Sequence, residues 1–227
     1  MVTGYSFPDF ASGYLIVPDV LTHVECDHLI RALSDIKRGR AGVRHLMKNP
    51  AVAALAVDQR LLDIAQQLLR APVTPFRATL FEKSGKANWL VAWHQDTALP
   101  LTARFDAPGW GPWSEKAGIL YAHAPAWALS RVLAIRIHLD ASTSDNGPLR
   151  VIPGSHAEGV LTDAQVLDHA RARASAECLV PRGGALAMSP MIIHSSSKAR
   201  TESPRRVLHV EYADSLDLAA GVRLAVA

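Results

Sequence analysis

AECLVPRGGALAMSPMIIHSSSKARTESPRRVLHVEYA, residues 176–213, holds four short apolar stretches with no helical pattern between them. AECLV, GALAMSP, MIIH and RRVLHVEYA each read as a strand, and Gly, Pro and Ser punctuate them. Strands that are not interleaved with helices argue against a parallel doubly wound sheet. Their spacing fits a sandwich or jelly roll, and periodicity does not choose between the two.

The upstream residues extend that pattern. RVLAIRIHLD (131–140) is another strand, and DNGPLRVIPGSH (145–156) is a turn at Asn146-Gly147-Pro148, a brief strand, and a second turn at Pro153-Gly154. PFRATLFEK (75–83) alternates, and NWLVAWHQD (88–96) follows a Ser84-Gly85-Lys86 turn. DAPGWGPWSEKAG (106–118) reads as a loop, ahead of a short GILYAHA segment. Helices are predicted early. After a short strand in GYLIVPD (13–19), Thr22 and Glu25 form a capping-box pattern opening LTHVECDHLIRALSDIK (21–37), with Val24, Leu29, Ile30 and Leu33 as its stripe. AVAALAVDQRLLDIAQQLLR (51–70) predicts one further helix, with Leu55, Leu62, Ile64, Ala65, Leu68 and Leu69 on its apolar face. TDAQVLDHARARA (162–174) predicts a late one. The expected architecture is mainly β with flanking helices: one domain over 1–227, helices at about 20–71 packed on a sheet, and a lid at 97–129.

The chain of 227 residues is 49% hydrophobic and 20% charged, enough for one self-sufficient core. Its net charge of +3 is mild and its basic residues are scattered, which argues against nucleic acid and suits a small anionic ligand. Cys26 and Cys178 form no CxxC pair and read as reduced thiols of a cytoplasmic protein. The first residues lack a secretory pattern, and no apolar run approaches the roughly 18 residues of a membrane helix. The expected state is a monomer or homodimer acting on a small molecule.

WHQD (93–96) carries the chemistry. On an extended segment His94 and Asp96 project to the same side. Such a pair can hold a metal, relay a proton or cap a turn. A metal needs a third ligand from another strand, and His194, between an apolar run and a serine run, is the candidate. Two histidines and one carboxylate on one face suit non-heme Fe(II), leaving open positions for a cosubstrate and O2. His138 is as consistent with the core as with the surface; His156 closes a turn; His23, His28, His45, His123, His169 and His209 have no partner at ligand-like spacing.

WHQD, then DNGPLRVIPGSH, then IHSSSKARTESPRR, in this order, resemble the phytanoyl-CoA dioxygenase family of Fe(II)- and 2-oxoglutarate-dependent oxygenases, and GYLIVPDVLTHVECDHL resembles its opening. The resemblance runs from about Gly13 to Tyr212. It implies a double-stranded β-helix, a cupin-like jelly roll, with His94, Asp96 and His194 as metal ligands. It also implies Arg205 as the grip on the 5-carboxylate of 2-oxoglutarate, because it stands eleven residues after His194, with Ser196 bonding the same carboxylate. A guanidinium grips a carboxylate bidentately, as lysine cannot. Arg206 should point the opposite way, and Lys83 is a further cosubstrate candidate. Ser195 stands where the family usually has glycine, and Ala199 where it commonly has asparagine. Because Asp96 is a carboxylate, hydroxylation is implied over halogenation. Substrate candidates are Trp93, Arg104, Trp113 and Arg136, with Lys116 also able to meet a carboxylate or phosphate. Two alternatives remain: a metal-free jelly-roll binding protein, and a cupin-like metal-binding protein or isomerase without 2-oxoglutarate, against which Arg205 is the discriminating residue.

Overall fold

The computed structural model describes residues 10–36, 42–83 and 88–227. The first nine residues, the expected helix end at Lys37 and the Ser84-Gly85-Lys86 turn lie outside the described residues. The strands are β1 (Tyr14–Val17), β2 (Thr74–Lys83), β3 (Val91–His94), β4 (Ala98–Leu101), β5 (Trp113–Lys116), β6 (Ile119–His123), β7 (Val132–His138), β8 (Leu149–Val151), β9 (Ala176–Cys178), β10 (Ala185–Met188), β11 (His194–Ser196), β12 (Arg205–Ala213), β13 (Asp217–Ala219) and β14 (Val222–Arg223). The helices are α1 (His23–Ala32), α2 (Pro50–Ala56), α3 (Gln59–Leu69), α4 (Ala126–Leu129) and α5 (Asp163–Ala172).

Two antiparallel sheets make the jelly roll, ordered β1-β10-β7-β12-β2 and β3-β11-β8-β9. In the first, alternation sorts the side chains of β12. Leu208, Val210 and Tyr212 join Ala78, Leu80, Ile135 and Ile137 in an apolar cluster that also takes in Leu33, Val52, Leu61 and Ile64 from the helical segments. Full burial of each Leu, Ile or Val contributes about 1.5–3 kcal/mol. The opposite set, Arg205, Val207, His209 and Glu211, stands across from Lys83, Phe81, Thr79 and Arg77 of β2, and across from His138, Arg136 and Ala134 of β7 beyond Arg205. The helices cover the apolar face, so this polar face lines the interior between the sheets.

Several local expectations change. The capping box of α1 forms, with Thr22 Oγ1 accepting from Glu25 N. Its buried face, however, is Cys26, Leu29 and Leu33, and Val24 is 62% exposed. Residues 51–70 form two helices rather than one. Asn49 caps α2, and Asp58 accepts from Arg60 N and restarts the chain as α3, whose deepest residue includes the unanticipated Leu61. Part of the expected loop at 106–118 is strand β5, because Trp113–Lys116 pairs with β6 in a third sheet, β4-β6-β5. The 97–129 segment is thus a small folded layer. In MIIH only His194 is strand, and Ile192 and Ile193 are buried coil before it.

Candidate functional site

β3 and β11 lie side by side with His94 opposite His194. Their rings are 4.2 Å apart between centroids. His94 Nδ1 lies 2.8 Å from the Ala92 carbonyl, and His194 Nδ1 2.9 Å from that of Ile192. Each carbonyl can only accept, so Nδ1 carries the proton and Nε2 keeps its lone pair. Both Nε2 atoms face Asp96, at 3.6 Å for His94 and 3.4 Å for His194. One ligand atom from each residue falls within 4.8 Å of the others. Burial pushes the His194 imidazole down to about 4, which keeps it neutral at pH 7. Burial would raise the Asp96 carboxyl, but His194 and His94 outweigh it and hold it well below the usual range. Burial would lower His94 as well, but its contact with Asp96 outweighs burial and raises it, so a metal ion there takes the place of a proton. Two imidazoles and a carboxylate are the donor set a hard-to-borderline divalent ion accepts.

The segment is held from behind. Gln95, between the two facing residues, donates to the carbonyls of Gly159 and Met191 at 2.8 and 2.6 Å and accepts from Leu161 N at 2.8 Å. Asp96 N donates to the Pro190 carbonyl at 2.9 Å. Ser155 of PGSH accepts from Ile193 N, which ties that turn to the start of β11. Gly147 takes φ +69°, and a Cβ there would lie 2.4 Å from the Ser197 carbonyl oxygen. Only glycine lets the NGP turn rest on the loop after His194.

Deeper between the sheets lies a basic cradle. Lys83 Nζ donates to Ser196 Oγ at 2.6 Å and to the Ser197 carbonyl. Ser196 Oγ donates to the Gly147 carbonyl and receives a 3.4 Å contact from Arg205 Nη2. Arg205 Nε and Nη1, Arg136 Nε and both ring nitrogens of His138 are buried with no hydrogen-bond partner among the described residues. Burial, then Arg136, pushes the Arg205 guanidinium down to about 9, and burial, then Arg205 and Arg136, pushes Lys83 down to about 7. Burial, then Arg136 and Arg205, also lowers His138. Buried donors left this way are costly unless an anion completes them. The cradle therefore fits a carboxylate.

Above the triad opens a cavity of about 310 Å³, lined by Arg44, Arg77, Phe81, Lys116 and Tyr121 together with the His94–Ala98 segment and His209. The family model described as "Phytanoyl-CoA dioxygenase (PhyH)" matches residues 11–207. The chain belongs to this family. It is 27% identical to L-proline trans-4-hydroxylase of Streptomyces griseoviridis, over 88% of the chain and 82% of that protein. It is 26% identical to ectoine dioxygenase of Sphingopyxis alaskensis, over 63% of the chain and 46% of that protein. The fold of EctD from S. alaskensis matches with a TM-score of 0.68 at 23% identity, covering 95% of the chain and 76% of EctD. That of the non-heme alpha ketoglutarate dependent epimerase SnoN from nogalamycin biosynthesis matches with a TM-score of 0.68 at 19% identity, over 92% and 79%. The protein is a jelly-roll oxidoreductase, a 2-oxoglutarate-dependent oxygenase that uses iron.

Within this PhyH-family chain the structure brings together His94, Asp96 and His194 in one group, and Arg205, Ser196 and Lys83 in a second, with Ser196 two residues beyond His194 on β11. Arg206 turns to the opposite side and pairs with Asp140, as alternation requires. The substrate expectations fare differently. Trp93 alternates with His94 and packs on Ile152, Val166 and Ile193 under Arg150, away from the triad cavity. Arg104 lies over the Trp113 ring, and both line a separate pocket with Phe105, Asp106 and Trp110. Arg136 is buried beside the cradle, over Phe81, and donates to His209 Nδ1 at 3.1 Å. The two family departures are accommodated. Ser195 Oγ meets Arg150, and Asn88 makes a reciprocal pair with the Ala199 backbone. Reading by sequence missed Gln95, Arg77 and His209, and left His138 undecided. The available signal was alternation: Arg77, Thr79 and Lys83 share one face of β2, and Arg205, His209 and Glu211 share one face of β12.

Proposed function

We propose that the protein hydroxylates an unactivated C–H bond of a small metabolite, with His94, Asp96 and His194 as the iron ligands and Arg205, Lys83 and Ser196 as the grip on the distal carboxylate of 2-oxoglutarate. The single observation that carries the reading is the pairing of two imidazole Nε2 atoms around one carboxylate with a buried guanidinium that has no acid partner among the described residues. When bound, iron with 2-oxoglutarate and O2 supplies the oxidation, releasing succinate and CO2. The chain's own part is placement. The Nδ1–carbonyl bonds fix both rings, Gln95 holds the spacing of His94 and Asp96, and the cradle orients the cosubstrate. Thr97, Ala98, Lys116, Tyr121 and His123 of the 97–129 segment line the cavity, which supports a lid role for that segment.

Asp96 supports hydroxylation over halogenation, because no ligand position is left for a halide. The orphan Arg205 favours a dicarboxylate cosubstrate over a cupin-type isomerase, whose chemistry needs no such group. L-proline and ectoine, named in the relatives, are small polar metabolites, and the cavity is of that scale. Two free buried cysteines, Cys26 and Cys178, favour the cytoplasm. The test is anaerobic titration with Fe(II) and 2-oxoglutarate. A weak visible charge-transfer band is expected, diminished in Arg205→Ala. Folded wild-type protein without a band overturns the reading.

A further inference from the structure

The cavity above the triad gathers three cations, Arg44, Arg77 and Lys116. Only Arg77 is neutralised. It pairs with Glu211 through Nε and through Nη2 at 2.6 Å, and donates from Nη1 to the Ala98 carbonyl at 2.9 Å. The other lining carboxylate, Asp96, belongs to the triad. Among the described residues, Arg44 and Lys116 form no ion pair. Solvated cations are commonplace on protein surfaces, and both side chains are exposed. Two features separate these from an ordinary solvated pair.

First, they come from distant segments that one contact locks together. Arg44 precedes His45, whose Nε2 bonds the Tyr121 hydroxyl at 2.8 Å while its ring stacks on the same tyrosine at 6.0 Å. Lys116 Nζ sits 4.8 Å from the centre of that tyrosine ring, and the Arg77 guanidinium 5.7 Å. The His45–Tyr121 contact therefore draws the loop bearing Arg44 against the hairpin bearing Lys116, at the rim of the catalytic cavity. Second, the positive charges feel one another: partial burial and then repulsion from Arg44 and Arg77 lower the Lys116 ammonium, and the attraction of Asp96 does not offset them. Like charges brought together with no acid paired to Arg44 or Lys116 are unfavourable until an anion joins them.

We infer that the substrate carries a carboxylate, held at the cavity rim by Arg44 and Lys116 while the carbon to be oxidised faces the triad. This rests on the assignment of the cavity to the oxygenase centre. The cradle around Arg205 holds one carboxylate and the rim a second, so cosubstrate and substrate are sorted by depth. A neutral or cationic substrate would leave the two rim charges unmatched.

The experiment screens small carboxylic acids against their primary amides, with 2-oxoglutarate saturating the cradle. Melting-temperature shifts are read with and without Fe(II) under nitrogen, and stimulated succinate release is read in air. Acids are expected to bind and stimulate where their amides do not. The R44Q/K116Q double variant should weaken acid binding about ten-fold or more, the combined effect of two partly exposed charge pairs, and added salt should weaken it in the wild type. The variant keeps the wild-type charge-transfer band. Amides that serve as well as acids, a panel with no acid that binds, or acids that bind the double variant unchanged overturn the inference. Loss of the band in wild type instead strikes the oxygenase assignment, and the metal-free melting shifts still report on the rim.

Discussion

Replacing Arg205 by methionine should make the protein more stable and much weaker in binding 2-oxoglutarate. Arg205 is 4% exposed, its Nε and Nη1 have no partner, and burial followed by Arg136 brings its pKa down to about 9. At ~1.36 kcal/mol per tenfold change in proton affinity, a depression of that size represents on the order of 5 kcal/mol of unfavourable charge burial. Methionine has similar length and no charge, but must pack among Lys83 and Ser196, so a net gain of about 1–3 kcal/mol is expected, within the range for replacing buried ions by apolar residues. For a chain of this size, that raises the melting temperature by ~2–4 °C per kcal/mol. Loss of a buried charge-assisted contact costs ~2–5 kcal/mol of cosubstrate binding, roughly thirty-fold to several thousand-fold in Kd. The assay is thermal melting with Fe(II) under nitrogen, with and without 2-oxoglutarate. Wild type at a hundred times Kd gains about 2.7 kcal/mol from the ligand. Arg205→Met should lead without 2-oxoglutarate and gain at most about 1 kcal/mol when it is added at the same concentration. A variant that melts below wild type in the absence of 2-oxoglutarate, or that responds to it equally, refutes the reasoning.

Other outcomes follow from the same geometry. Because burial and then Arg205 and Arg136 push Lys83 down to about 7, and a bound carboxylate favours the ammonium, 2-oxoglutarate affinity should be flat below pH 7 and fall as pH rises above it. Lys83→Met should flatten that profile in direct titrations. The same depression costs stability in full below about pH 7, and the cost is relieved as pH rises towards the ordinary lysine range, so the pH slope of the urea midpoint should shrink in Lys83→Met. Gln95→Leu strands the Gly159 and Met191 carbonyls and Leu161 N; about 1–3 kcal/mol of stability should go, and Mn(II) should be retained less well on dialysis, whereas an unchanged midpoint would contradict the positioning role. Gly147→Ala places a methyl 2.4 Å from the Ser197 carbonyl at a positive φ, and a loss of about 1–3 kcal/mol should appear in denaturant melts.

Much of the site is legible in the chain because its parts are local. His94 and Asp96 are two residues apart, and Gly147, Ser155 and the spacing from His194 to Arg205 lie in short strings whose turn chemistry is read residue by residue. The helix break at Val57-Asp58 was not legible, since Asp58 acts as a cap only once α2 has ended and Arg60 has turned back to Asp58 and Glu25. Arg44 and Lys116 were equally opaque as a pair: 72 positions separate them, and only the His45–Tyr121 contact puts them on one rim.

The amino-acid order alone decides that β2 and β12 each have one apolar and one polar face, because side chains alternate along any strand. It does not decide which face is inside. Alternation ordinarily sends the polar set to water. Here α1, α2 and α3 cover Leu208, Val210 and Tyr212, and the second sheet closes over Arg205, His209 and Glu211. Burial of the apolar face against helices outweighs the cost of enclosing the charges, and the enclosed charges become a binding site. That inversion belongs to the packing of layers, which no single strand encodes.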